Sequence, residues 1–332
     1  MTYENIRLEK SLYTTGKSFT QALESLDPSE NYIGTELEGL DAFQRQLKRF
    51  DIKVSGKNSD CIEKFFRTSD SAALFPEYVS RAVMQGIEET DIVKSLVATT
   101  TLIDGLDYRS LLAVTPEGEV TIINEGTVIP ETNIRTQQNL IPLFKRGRVI
   151  TASYEAIRFQ RLDVFTVALK QIGAAIARAQ ANDAINTLLN GDGNNNAIEI
   201  KTSDAPLSYE NLVELWMSIH PYTMTTLVAS PDTFSQIIRM PEFIESGASG
   251  SFVSTGKIYT PFGAELIRYD ALPAGRLIAV DKNFALEKVQ AGTVSTEFDK
   301  LIDRQLERAA VTSTVGFAKL FKEASVALQV NC

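Results

Sequence analysis

Across residues 163–189 apolar side chains return every three or four positions, with Phe165, Leu169, Ile172, Ile176 and Ala179 on one face and Ile185 with Leu188 or Leu189 continuing it. That period predicts an amphipathic helix. The run stops at Asn190-Gly191-Asp192-Gly193, and at 1.5 Å per residue it gives a rod of roughly 39 Å, long for a globular helix. Such a rod suits the spine of a flat, extended subunit. Ahead of it the period changes. Residues 111–114 and 120–123 are short β-prone runs divided by Thr115-Pro116-Glu117-Gly118, the pattern of a hairpin. A segment rich in threonine, asparagine and glutamine follows at 132–139, then a strand at 148–151. A two-stranded ribbon is barely stable alone, so this polar-edged excursion needs another surface, and we expect a neighbouring subunit to supply it.

Beyond the rod, residues 205–290 alternate helices and strands. Ser208 caps a helix carrying Leu212, Leu215, Trp216 and Ile219 on one face, residues 226–229 read as a buried strand, and Ser230-Pro231 restarts a helix lasting to about Met240-Pro241. A flexible loop is predicted at 247–256, with strands at 264–269 and 276–280 divided by Leu272-Pro273-Ala274-Gly275. The tail mixes a charged stretch, 297–308, with the β-prone 324–330. Toward the N-terminus, Thr35 and Glu38 match a capping box, and Leu40, Phe43, Leu47 and Phe50 follow at helical spacing. The basic end of that helix, Arg45, Lys48 and Arg49, suits the negative pole of the helix dipole and reads as a solvated helix end in preference to a nucleic-acid patch.

The chain has 332 residues, 44% hydrophobic and 23% charged, an ordinary globular composition with room for one large domain or two to three modest ones. No apolar stretch approaches the roughly 20 residues of a bilayer span. Residues 1–10 lack the basic and apolar regions of a secretory signal, so the expected place of synthesis is the cytoplasm. A formal charge of −9 argues against a protein that grips phosphate backbones. Cys61 and Cys332 have neither CxxC spacing nor histidine neighbours, which excludes a zinc site or disulfide framework as the first reading.

The motifs that carry chemistry fail in turn. Gly16-Lys17-Ser18 ends like a phosphate-binding loop, but Ser11 stands where the first glycine belongs. Gly256-Lys257 fails too, because Gly250 is one residue too far upstream and Ile258 replaces the hydroxyl. Asp192, Asn194 and Asn196 have calcium-loop spacing, yet Ala197 replaces the glycine and Ser203 the terminal glutamate, leaving a helix-ending turn. His220 is the one histidine, which excludes multi-histidine metal sites and most triads. Glu88-Glu89, and Asp299 with Asp303, are carboxylates of a kind that usually occupies exposed helix faces. Lys145, Arg146 and Arg148 make the densest basic run, read as ion pairing at a subunit contact, with DNA contact as the alternative. No catalytic, cofactor or metal residue is assigned.

The order and spacing of Glu125-Gly126, Pro130-Glu131, a strand, a short helix at 153–159, the long helix and Leu188-Leu189-Asn190-Gly191-Asp192-Gly193 resemble the Hong Kong 97 type of phage major capsid protein. A looser resemblance runs from about Thr68 to Val330. It implies an α+β capsid fold: an N-terminal arm at 1–70, a lead-in to the peripheral domain at 71–107, an extended β-hairpin loop at 108–150, a peripheral domain with its spine helix at 151–203, an axial domain at 204–287, and a return to the peripheral domain at 288–332. It also implies a chain that assembles with itself into pentamers and hexamers, builds the icosahedral or prolate head of a tailed phage, and encloses double-stranded DNA. An acidic wall would leave that duplex free to slide. Portal and scaffolding proteins, and decoration proteins, are the further partners implied; the place is the virion, with no cofactor, no catalysis and no membrane. The arm is expected to be retained as an interlocking strap. Some relatives weld subunits through a loop lysine, but residues 109–144 contain none, so a non-covalent shell is expected. Glu125 and Glu131 are expected to pair with arginine on a neighbour, Pro130 to stiffen the loop, and Lys145, Arg146 and Arg148 to lie at subunit contacts. An encapsulin-like bacterial compartment, similar in fold but holding an enzyme cargo, is the alternative; a soluble enzyme using acidic residues is a distant one.

Overall fold

Polar caps start most of the helices. In the computed structural model, which describes residues 3–9, 12–13, 18–113, 122–123, 125–126, 134–245 and 257–331, α1 (Phe19–Leu26) follows Ser18 and α2 (Ala42–Arg49) follows Asp41. Each cap is closed reciprocally by a glutamine three residues on. Asp41 therefore takes the role expected of Thr35, whose hydroxyl instead donates to Tyr32 O at 2.7 Å within a turn. Next come α3 (Ser69–Ala72) behind Thr68 and α4 (Phe75–Thr90), with Pro76 in its first turn. The chain continues through β1 (Val97–Ile103), β2 (Leu111–Ala113), β3 (Ile134–Thr136), β4 (Leu143–Ser153), α5 (Tyr154–Phe159) and α6 (Leu162–Asn190). Then follow β5 (Glu199–Ser203), α7 (Tyr209–Ser218), β6 (Thr226–Ala229), α8 (Pro231–Ile237), α9 (Pro241–Glu245), β7 (Glu265–Arg268), β8 (Arg276–Val280), β9 (Leu286–Ala291), β10 (Ser295–Leu301), β11 (Leu306–Lys319) and β12 (Ser325–Val330). Gly16-Lys17, the turn at 115–118, Pro130, Glu131, the loop at 247–256 and Cys332 lie outside the described residues.

Two compact units divide the chain. The first contains Met1–Asp91, Lys145–Arg178 and Gly292–Ser313. Its core joins Leu23 of α1, Phe43 and Leu47 of α2, Phe65, Val79 and Val83 of α4, and Leu169 and Ile176 of α6. The stretch expected as an arm is folded into this core, with Leu23 and Phe65 fully buried. Arg45 is also fully buried, which corrects its reading as part of a solvated helix end. Its Nε lies 2.9 Å from Asp27 Oδ2, and its other nitrogens donate to the carbonyls of Asp27 at 2.5 Å and Leu40 at 2.6 Å. A charge can be buried here because every hydrogen-bonding arm of the guanidinium has an acceptor. Helices α4 and α6 cross at two glycines. A Cβ built on Gly173 would stand 2.1 Å from Val83 O, and one on Gly86 2.2 Å from Lys170 O. Within this unit β10 pairs antiparallel with β11, from Ser295 opposite Thr312 to Leu301 opposite Leu306.

The second unit contains Ile92–Phe144, Ala179–Ala291 and Thr314–Cys332. Its main sheet has the order β5-β12-β8-β6-β7. Both faces are covered, and the side-chain period of two sorts residues between them. Val228, Ile278, Val280 and Ala327 enter one core with Ile185 and Leu188 of α6. Leu227, Leu277, Ala279, Val326 and Leu328 enter the other with Leu212 and Leu215 of α7. In the same unit β1 runs parallel to β9, and β9 pairs antiparallel with residues 315–319 of β11. The long helix spans 29 residues, matching the periodicity that predicts it. Among the described residues no helix is long and apolar enough to cross a membrane.

Candidate assembly surface

Within the second unit the chain makes a long excursion between β1 and β4, and both roots of this excursion are clamped. On the outgoing side, Thr101 Oγ1 and the Tyr108 hydroxyl donate to Glu287 Oε1 at 2.5 and 2.6 Å, and the Ser110 hydroxyl donates to Glu287 Oε2. Glu287 is 5% exposed, so three hydroxyls replace the water its carboxylate has lost. Burial first, and then the hydrogen bond to this carboxylate, push the Tyr108 pKa up. The two roots are laced together by the amides of Gln137 and Ile141, which donate to Ser110 O and Tyr108 O, each at 2.9 Å.

On the returning side, buried Gln137 donates through Nε2 to Lys319 O at 3.2 Å and accepts from Asn194 Nδ2 at 3.0 Å. Asn139 donates to Gly193 O at 2.7 Å and, through its main-chain amide, to Asn194 Oδ1 at 3.0 Å. The turn after α6 is thus the dock for the loop. Gly191 enters this turn at φ +81. Asp192 Oδ1 accepts from the Asn194 amide at 3.1 Å and Asp192 Oδ2 from the Lys319 amide at 2.8 Å. The oxygens with calcium-loop spacing are therefore spent on main-chain and amide donors, in keeping with a helix-ending turn. Lys319 is 1% exposed. Its ammonium donates to Leu188 O at 3.3 Å, meeting one of the carbonyls left open at the end of α6. Burial lowers its pKa to about 8, with Lys322 adding to the effect and Asp192 and Glu323 opposing it.

Past the clamp, β2 pairs with β3, Leu111 opposite Thr136 and Ala113 opposite Ile134. This corrects the expected hairpin partner at 120–123, of which the described Ile122 and Ile123 carry no strand. Apolar side chains are open to solvent here: Leu111 is 52% exposed and Ile122 96%. Glu125 is exposed in a turn beside Gly126, whose φ is +83. Lys145, Arg146 and Arg148 share β4 in the first unit, Lys145 and Arg148 exposed and Arg146 half-buried. Between them Gly147 lets β4 approach β11, since a Cβ there would stand 2.4 Å from Val311 O. Glu287, Gln137 and Lys319 escape sequence reasoning; the one available signal is Lys319 itself, a lysine at the end of an apolar strand and followed by Leu320-Phe321.

Glu89 pairs with Lys170 at 2.8 Å and Asp299 with Arg308 at 3.2 Å. His220 is exposed. A cavity of about 360 Å³ beside α7 presents Glu214 as its one carboxylate, with Lys201, Val213, Met217 and Ser218. Among the described residues no group of three or more His, Cys, Asp or Glu gathers where a metal could sit.

This α+β architecture is the Hong Kong 97 type capsid fold. Similar solved structures include a virus-like particle from Pyrococcus furiosus, 14% identical with a TM-score of 0.51 over 76% of this chain and 98% of that one. The capsid of an empty GTA particle is 15% identical with a TM-score of 0.52 over 71% and 88%. The capsid of Cyanophage P-SCSP1u is 11% identical with a TM-score of 0.50 over 73% and 88%. No curated protein matches the chain in sequence. Residues 137–317, over half of the chain, match the phage capsid protein family, and the chain belongs to that family.

Proposed function

We propose that this major capsid protein closes its shell by laying the excursion between β1 and β4 on an adjacent copy, within pentamers and hexamers that enclose double-stranded DNA. One observation carries the reading: the loop is fixed at both roots yet leaves Leu111 and Ile122 uncovered. A chain gains about 25 cal/mol for each Å² of apolar surface it removes from water, and a second copy is the surface that closed symmetry supplies. Glu125 on one copy pairs with Lys145 or Arg148 on the next, Pro130 and Glu131 belong to the same contact, and Arg146 supports it. Portal, scaffolding and decoration proteins complete the head, which forms in the host cytoplasm; the protein performs no catalysis.

Electron microscopy and sedimentation of the expressed chain test this. Closed particles are expected from the expressed chain, and nuclease-protected DNA from the complete heads; a compact monomer at high concentration overturns the reading. A co-purifying enzyme would favour the bacterial compartment. Glu125→Arg should reduce particle yield and Arg148→Glu in the same chain should restore it. Equal yields from the parent and Glu125→Arg would remove that pair from the contact.

A further inference from the structure

Residues 48–67 and 154–161 carry eight Lys and Arg against four Asp and Glu, a net of +4 within a chain of −9. The first unit folds them against each other. Cys61 and Arg161 form an antiparallel bridge. The Arg161 guanidinium donates to Gly56 O at 3.2 Å, to Lys57 O at 3.0 Å and to Ser59 Oγ at 3.0 Å. Three of the four acids are engaged inside it, and the fourth, Glu155, is exposed. Lys64 Nζ lies 3.1 Å from Asp51 and 3.0 Å from Asp60, and Arg158 faces Glu63 at 3.6 Å. Lys48, Lys53, Lys57 and Arg67 stand outside these ion pairs, and all four are exposed.

We propose that Lys48, Lys53, Lys57 and Arg67 form the contact through which each subunit touches the phosphate backbone of enclosed duplex DNA. This rests on the reading of the chain as a shell around a genome. Charge complementarity selects the occupant. A duplex presents one negative charge per about 1.7 Å, and lysines on flexible stems meet such a line of charge without fixed geometry. A second copy fits less well, because protein interfaces are depleted in lysine, and three of these four cations are lysines. The remainder of the chain is net acidic, so attraction for the duplex is concentrated on this cluster while the wall elsewhere repels it.

Fluorescence anisotropy with the full-length chain and a labelled duplex of about 20 base pairs, titrated across about 50 to 300 mM salt, tests the contact. Lys48→Gln, Lys53→Gln and Lys57→Gln together should reduce the slope of log K against log salt by about 2.7, because each phosphate contact contributes about 0.9. The same three positions changed to arginine should keep the parent slope. Lys94→Gln, Lys201→Gln and Lys282→Gln, exposed in the second unit, should leave it unchanged. An unchanged slope in the first variant, or an equal fall in the last, overturns the contact. Electron microscopy of the parent separates the two readings: particles together with an unchanged slope sink the contact alone, and a parent that forms no particles sinks the shell.

Discussion

Gly173→Ala sets two effects of opposite sign against each other. Alanine is the better helix former by about 1 kcal/mol, so on propensity the change should stabilise α6. The added Cβ, however, would stand 2.1 Å from Val83 O and 2.8 Å from Ile87 N, both main-chain atoms of α4. A side chain could rotate away; these atoms cannot, because Val79 and Val83 are fully buried in the same core. The two helices must separate by about 1 Å, opening the packing of Leu169 and Ile176, and overpacking of this kind costs about 1–3 kcal/mol or more. Because the clashing atoms are main chain, the cost falls at the upper end, about 3 kcal/mol, and the clash wins with a net loss of about 2 kcal/mol. For a unit of this size that is a fall of about 4–8 °C in Tm, read by circular dichroism on the full chain. Gly86→Ala should behave alike, its Cβ falling 2.2 Å from Lys170 O. Gly105→Ala is the control, since the nearest atom lies 4.0 Å away; it should change stability by less than about 0.5 kcal/mol. A Gly173→Ala chain melting at or above the parent would refute the close crossing of α4 and α6.

Asp27→Ala leaves the buried Arg45 charge with only the longer, part-exposed contact to Glu24 at 3.6 Å and should cost about 3 kcal/mol in urea denaturation; Arg45→Met added to it should recover part of that loss, and a double variant no more stable than Asp27→Ala would show that the pairing is not the cause. Lys319 loses its proton at about 8 in the fold against 10.5 unfolded, so the unfolded chain holds the extra proton between these values and its penalty, about 3 kcal/mol at neutral pH, fades as pH rises through them. Relative to Lys319→Met the parent should therefore be least stable below pH 8 and converge toward pH 10.5, and a constant gap would count against it. Glu287→Gln removes the charge that three hydroxyls serve and should speed amide exchange at residues 108–113 by about tenfold or more, while lowering the Tyr108 pKa toward its ordinary value; exchange equal to the parent's would show that the carboxylate does not hold the root.

Local chemistry is what the sequence exposes. Helix α6 is legible because apolar residues recur at helical spacing from Phe165 to Ala179 and again from Ile185 to Leu188, although the two runs enter different cores; Ser208 is legible because a polar cap precedes an apolar face, and β6 and β8 because short apolar runs lie between turn residues. The partner of β2 is not legible: Ile134-Arg135-Thr136 is a strand in a polar context, specified by anchors in distant segments. Arg45 reads as a helix end because Asp27, which permits its burial, lies 18 residues earlier. The loop clamp is harder still. Glu287 meets Ser110 across 177 residues, and Lys319 meets Leu188 across 131. Neither pairing has a local pattern, since the chain between them can be of any length that lets the sheet form.

The position of β12, between β5 and β8, sets a timetable for the ribosome. This strand, second in the sheet, is translated last of the five, on the order of 10 s after β5 at bacterial rates. Until then β5 and β8 have an empty lane between them, so β5 cannot join β8 and the two cores on either side of that lane stay open. A nascent chain is thereby denied a finished surface for docking until β12 is made, so completion of this sheet, rather than early folding of its other strands, times the start of assembly. Chains stopped at Ala324 and released should stay out of particles when co-expressed with the parent; their incorporation would show that the lane need not be filled.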